Sequence, residues 1–240
     1  MCGFALLLLP YFAAGQSVVR ENPAWNKEPD SFHGVKFGAT ESEVQANLHP
    51  WLCGLSEELG TCYFKVELAG RSYDAIASFL KHKLSEVFCL FDENDFPAVK
   101  DVLVLAYGDP TRHSDGGMTW IGSSVTAALD HSLPPERKSQ VDQIALKRSV
   151  LKVNDALDAH RRILELALEL SRRTHDQRDY DRIAKDASST YESDKASAAE
   201  SLDKFRAGGY GSLSVALNSY IEETAKRKDG QKMKDAAAIR

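Results

Sequence analysis

The densest group of side chains able to do chemistry lies in the loop Thr111-Arg-His-Ser-Asp-Gly-Gly117. It sets Arg112, His113 and Asp115 between a helix stop and a strand, where functional loops often sit on a rigid scaffold. A hydrolase could draw on such a trio, with the helices further along the chain as a lid. The plainer reading is a polar loop of turn formers, and it is preferred. No Gly-x-Ser-x-Gly, His-Glu-x-x-His or Gly-x-x-x-x-Gly-Lys pattern occurs. Asp92-Glu-Asn-Asp-Phe96 opens like a calcium loop but lacks the later glycine and the closing glutamate. His160 falls on an apolar helical stripe and reads as an interface histidine rather than a ligand. No catalytic residue, cofactor or metal is therefore expected.

The cysteines depend on location, and location depends on the first residues. Met1 to Gly15 hold an apolar block of about ten residues closed by Ala13-Ala14-Gly15, the layout of a secretory signal peptide over 1–15. The run falls short of the roughly 18 to 20 residues that span a bilayer. The first basic residue, Arg20, follows the block rather than preceding it, so an uncleaved signal-anchor and a cytosolic chain are the competing readings. Cys2 has no lipobox before it. Export leaves Cys53, Cys62 and Cys89. The short loop between Cys53 and Cys62 suits a disulfide worth about 2 to 3 kcal/mol in an oxidising compartment. Cys89 lies in a strand pattern as a small buried hydrophobe.

After a linker over 16–31, two halves differ in charge. Residues 16–135 carry 9 Lys+Arg against 17 Asp+Glu, and residues 136–240 carry 21 against 18. That contrast supports a boundary near Pro134-Pro135. The region 32–133 alternates short elements. Val35-Lys-Phe37 is a strand, and Thr40-Glu-Ser-Glu43 is a capping box opening a helix that stops before Pro50. Strands follow over Cys62–Leu68, Tyr73–Leu80 and Leu84–Phe91. Asp95 should cap a helix that runs to Tyr107 and ends at Gly108. Two last strands cover Met118–Gly122 and Ser124–Leu129. The fold class this order predicts is α+β: a mainly antiparallel sheet with two helices on one face, followed by a separate helical hairpin or coiled coil.

Gly34-Val-Lys-Phe-Gly-Ala-Thr-Glu-Ser-Glu-Val44, Val104-Leu-Ala-Tyr-Gly-Asp-Pro-Thr111 and the following Trp120 together resemble a pattern in uncharacterised exported proteins of Gram-negative bacteria. More faintly, the opening resembles the small lipoproteins of the outer-membrane protein assembly machine. The resemblance covers about residues 32–130. It implies an envelope location and a binding or assembly role.

From Glu136 the period becomes 3.6. Leu146, Val150, Val153, Leu157, His160, Leu164 and Ala167 form one stripe, and a second helix carries Tyr180, Ala184, Ala187, Tyr191, Ala198, Leu202 and Phe205. The pair should form an antiparallel hairpin over 136–207, stiffly set off from the sheet by Pro134-Pro135. Leu157 and Leu164 are its expected contact residues. Residues 208–240 read as a short helix holding Leu213, Leu217, Tyr220 and Ile221, then a loose basic tail with Lys226, Arg227 and Lys228. The expected partner is another protein, or a second copy, met through the helices. The tail could add contact with an anionic membrane surface, and nucleic acid is not expected. The function these readings favour is a non-catalytic cell-envelope binding or assembly protein, periplasmic or secreted. A periplasmic hydrolase using the 111–117 loop is the alternative.

Overall fold

A computed structural model describes residues 25, 27–54, 59–174 and 177–238. The expected signal segment 1–15 and its cleavage site lie outside the described residues. A small hairpin, β1 (Ser31–Phe32) and β2 (Val35–Lys36), leads into α1 (Glu41–Leu48). The capping box is formed: Thr40 N–H donates to Glu43 Oε2 at 2.7 Å, and Glu43 N–H donates to Thr40 Oγ1 at 3.4 Å. Four strands follow: β3 (Leu52–Gly54), β4 (Leu59–Leu68), β5 (Arg71–Leu80) and β6 (Lys83–Asp92). Helix α2 (Phe96–Tyr107) ends at Gly108, whose φ of 79° suits glycine. Asp95 stands at the cap position of α2 but does not cap it. Its carboxylate is taken instead by Arg71 and by the Tyr73 hydroxyl, the latter at 2.9 Å.

Three further strands, β7 (Arg112–Ser114), β8 (Gly117–Ile121) and β9 (Val125–Asp130), precede two long helices, α3 (Lys138–Thr174) and α4 (Gln177–Arg206). The chain then returns as β10 (Tyr210–Leu217) and closes with α5 (Asn218–Ala238). The main sheet has eight strands in the order β3-β4-β5-β6-β10-β9-β8-β7, and every neighbouring pair is antiparallel. The fold is α+β, with the long helices packed on each other.

Two corrections follow. Residues 210–217 are not a helix but a central strand between β6 and β9. Leu213, Val215 and Leu217 face one side while Ser212, Ser214 and Ala216 face the other, the two-residue period that spacing by four conceals. Residues 218–238 form helix α5 rather than a loose tail. The hairpin is therefore an excursion between two neighbouring strands of one sheet, not an appendage between a finished sheet domain and a tail. Gly211 is part of the reason: a Cβ there would sit 2.3 Å from the Phe91 ring and 2.8 Å from the Asp130 carbonyl oxygen.

The central strands of the sheet are buried on both faces. On one, Val44 of α1 and Val99 and Leu103 of α2 pack with Phe64, Phe79, Val87, Leu129 and Leu213. On the other, Val141 and Ile144 of α3 pack with Tyr63, Ile76, Phe88 and Leu90. The prolines thus do not hold the helices off: the first turns of α3 lie on the sheet, because Tyr63 and Phe88 would otherwise leave large apolar surfaces in water. Leu157 and Leu164, further out, do not join that cluster. Both are half-buried on either side of His160, whose ring stacks on Tyr191 of α4 at 5.4 Å between centroids. The described part of the expected linker is also anchored. The Trp25 indole N–H donates to the Tyr107 carbonyl at 2.9 Å, and the Glu28 carboxylate accepts from the backbone of Ser123 and Ser124 at 2.9 and 2.6 Å.

Candidate functional site

Pairing register determines what the α3-covered face offers. Thr61, Tyr63 and Lys65 of β4 stand opposite Ser78, Ile76 and Asp74 of β5. Ser78 and Ile76 then stand opposite Glu86 and Phe88 of β6, and Phe88 opposite Ser214 of β10. Side chains of directly paired residues share a face. This face therefore has an apolar centre flanked by two carboxylates, Asp74 and Glu86, both within strands that otherwise read as core. A carboxylate removed from water needs a cation or hydrogen bonds, and α3 together with the turn before it supplies an arginine for each.

Arg137, in the single 3₁₀ turn Pro135–Arg137 before α3, brings Nη2 to 2.8 Å from Glu86 Oε1. The Ser214 hydroxyl donates to the same oxygen at 2.9 Å, and the Arg137 guanidinium lies over the Phe88 ring at 5.4 Å. The Glu86 side chain is 1% exposed. Around it is a polar cleft of about 520 Å³ between the starts of α3 and α5, lined among others by Thr61, Ser78, Gln143, Tyr220 and Lys228. Burial pushes the Tyr220 phenol up to about 12, with the nearby Glu86 charge acting in the same direction. It is thus a neutral hydroxyl at physiological pH.

Eleven residues along α3, Arg148 Nη2 lies 2.9 Å from Asp74 Oδ1, and Lys65 Nζ lies 2.9 Å from that same oxygen. Neither approach has the angle of a hydrogen bond, so the attraction is one of charge. The Arg148 guanidinium also covers the Phe205 ring of α4 at 5.4 Å. Here a second cleft, of about 450 Å³, opens where α3 and α4 meet the edge of the sheet. Trp51, Leu202 and Phe205 supply apolar wall, and Lys65, Arg148 and Lys152 supply cations.

Beyond the clefts the two helices are unequal partners. The seam of α4 is narrow because its most buried residues are Ala187 and Ala198, which let the helices approach but cover little of α3. Leu146, Val150, Ile163, Leu166, Leu168 and Leu170 of α3 are left exposed, Leu166 to 66%. His160 Nδ1 is buried without a hydrogen-bond partner.

The residues singled out by sequence fare differently. Arg112 and His113 lie on β7, the last strand at one edge of the sheet, and alternate in direction; they and Asp115 are exposed. None of the three lines either cleft. Cys53 and Cys62 are directly paired across β3 and β4 and joined by a disulfide. Cys89 is a buried free thiol, and burial pushes its pKa up. Of the basic residues on α5, Lys228 lines the polar cleft, Arg227 pairs with Glu223 at 3.1 Å, and Lys226 is exposed. Sequence reading missed Asp74, Glu86, Arg137 and Arg148. The available signal was a charge inside an apolar strand, in Tyr-Asp-Ala-Ile-Ala and Leu-Ser-Glu-Val-Phe. Among the described residues there is no group of three or more His, Cys, Asp or Glu placed to hold a metal ion. Among them, too, no helix is long and apolar enough to cross a membrane. Comparison with protein families, with curated proteins and with solved structures finds no match for the chain.

Proposed function

We propose that this chain is a non-catalytic binding and assembly protein of the cell envelope, periplasmic or secreted, that docks a partner protein along its helical hairpin. The observation that carries the reading is the exposed flank of Ile163, Leu166 and Leu170 on α3, spaced three and four apart, which α4 is too slender to cover. Apolar side chains clustered in this way on a helix surface favour burial against another apolar helix. The Cys53–Cys62 disulfide is compatible with an oxidising compartment. The test is crosslinking and pull-down from an envelope fraction with the full chain, beside Leu166→Glu and Leu170→Glu, two exposed positions whose change leaves the sheet intact. A partner retained by the unaltered chain and lost by both variants is the expected result. Light scattering separates a second copy from a different protein. A strictly monomeric chain that captures nothing, or capture indifferent to both substitutions, would overturn the reading.

A further inference from the structure

The two clefts beside α3 differ in charge balance. In the polar one, Glu86 and Glu136 stand against Arg137 and Lys228, and no charge is left over. In the cleft at the hairpin root, three cations (Lys65, Arg148 and Lys152) stand against two carboxylates, Asp74 beneath the wall and Asp155 on it. One positive charge is in excess. Lys65 and Arg148 crowd a single oxygen of Asp74 from off-axis positions, so both keep N–H donors available. Lys152 is held over the cleft by its bond to the Ser201 hydroxyl at 3.1 Å.

Beside these cations the wall is apolar and partly aromatic, formed by Trp51, Leu202 and Phe205, the last lying beneath the Arg148 guanidinium. The volume of about 450 Å³ falls in the range of roughly 300 to 1,000 Å³ typical of small-molecule clefts. A cleft with an apolar wall, a cationic rim and one uncompensated positive charge complements one kind of ligand. We propose that it binds a small amphipathic monoanion, with an apolar body against Trp51 and Phe205 and a carboxylate head between Arg148 and Lys152. This site is distinct from the docking positions: it lies at the root of α3, whereas Leu166 and Leu170 lie 18 residues beyond Arg148 and Lys152 along the same face, and the two are read by different measurements.

The test uses decanoate below its micelle concentration, titrated calorimetrically into the full chain. Decyltrimethylammonium and decanol serve as matched cationic and neutral probes, and decyl phosphate as the alternative head. Decanoate should bind one to one and raise the melting temperature, while the cation should not bind. Lys152→Gln, at an exposed position, should weaken decanoate about tenfold, since a charge-assisted contact is lost. Ser149→Trp, which fills the cleft, should abolish binding while circular dichroism shows the fold retained. A tighter fit for decyl phosphate would keep the site and reassign its head group. Equal binding of cation and anion, binding unchanged in both variants, or no binding at all would overturn the proposal.

Discussion

Replacing Arg137 with Met tests whether the hairpin is anchored by charge at its root. Methionine keeps the aliphatic contact with Phe88 but leaves the Glu86 carboxylate, 1% exposed, facing two serine hydroxyls and no cation. Breaking a buried ion pair from one side costs about 3 to 5 kcal/mol. Arg137 is itself 29% exposed, so water can enter behind the shorter side chain, and the expected loss is about 2 to 3 kcal/mol. For a chain of this length each kcal/mol moves the midpoint by about 2 to 4 °C, which puts the drop at about 4 to 12 °C. Glu86→Gln combined with Arg137→Met removes both charges and should recover most of the loss, giving a coupling of at least about 1.5 kcal/mol. Urea denaturation with the disulfide intact reads all four corners of the cycle. A single variant within about 0.5 kcal/mol of the parent, or a double variant as unstable as the two singles summed, would show that the pair does not anchor α3.

Gly211→Val should destabilise by more than about 3 kcal/mol, or block folding outright, because its Cβ overlaps the Phe91 ring and the Asp130 carbonyl; chemical denaturation and yield of folded protein both report it. Removing the Cys53–Cys62 bridge as a Ser/Ala pair should cost about 2.6 kcal/mol by loop closure over the nine-residue separation, and unfolding midpoints with and without the bridge measure this. Tyr73, Tyr107 and Tyr220 are each pushed up to about 12, first of all by burial. Their neutral forms stabilise the fold fully below the ordinary tyrosine value near 10, and that contribution is lost as pH rises from there through 12. Absorbance at alkaline pH should accordingly show three phenols ionising late and together with unfolding. Ionisation of those three phenols near 10, in a fold that persists above pH 12, would contradict this.

Where a local pattern was sufficient, the sequence was informative. Thr40 and Glu43 are three apart and bond each other reciprocally, so nothing distant was needed to place α1. Gly108 followed by Pro110 ended α2 for the same reason. The strands β4, β5 and β6 were placed to within a few residues, although β5 and β6 are buried on both faces and alternate weakly. β10 escapes a sequence reading because Leu213 and Leu217, four apart, fit a helix as well as a strand. Its partners β6 and β9 lie at a distance of about 80 to 130 residues along the chain. The site was lost for a deeper reason. Asp74 and Glu86 need cations from Arg148 and Arg137, and no local rule connects a strand carboxylate with a helix arginine more than fifty residues away. The Arg112, His113 and Asp115 group had the opposite failing: the types were suggestive, but an exposed edge strand sends neighbouring side chains in opposite directions.

An arm inserted between adjacent strands is held differently from one hung on a linker. The chain leaves the sheet at β9 and returns at β10, which pair with each other along six residues, so both feet of the hairpin are fixed in the same ladder. The Arg206 guanidinium meets Asp142 at 3.0 Å, and the Tyr210 hydroxyl donates to the Phe205 carbonyl at 2.7 Å, tying the end of α4 to the start of α3 and of β10. From Arg148 outward, 26 residues of α3 extend about 39 Å at 1.5 Å per residue, and α4 accompanies them. The exposed Leu166, Leu168 and Leu170 lie towards its far end, while the basic-rimmed cleft lies at its foot. Phe205, Arg148 and Lys152 belong at once to the cleft wall and to the helices that carry the leucines. A ligand that draws Arg148 and Lys152 together acts on α3 directly, and on α4 through Phe205 and Ser201.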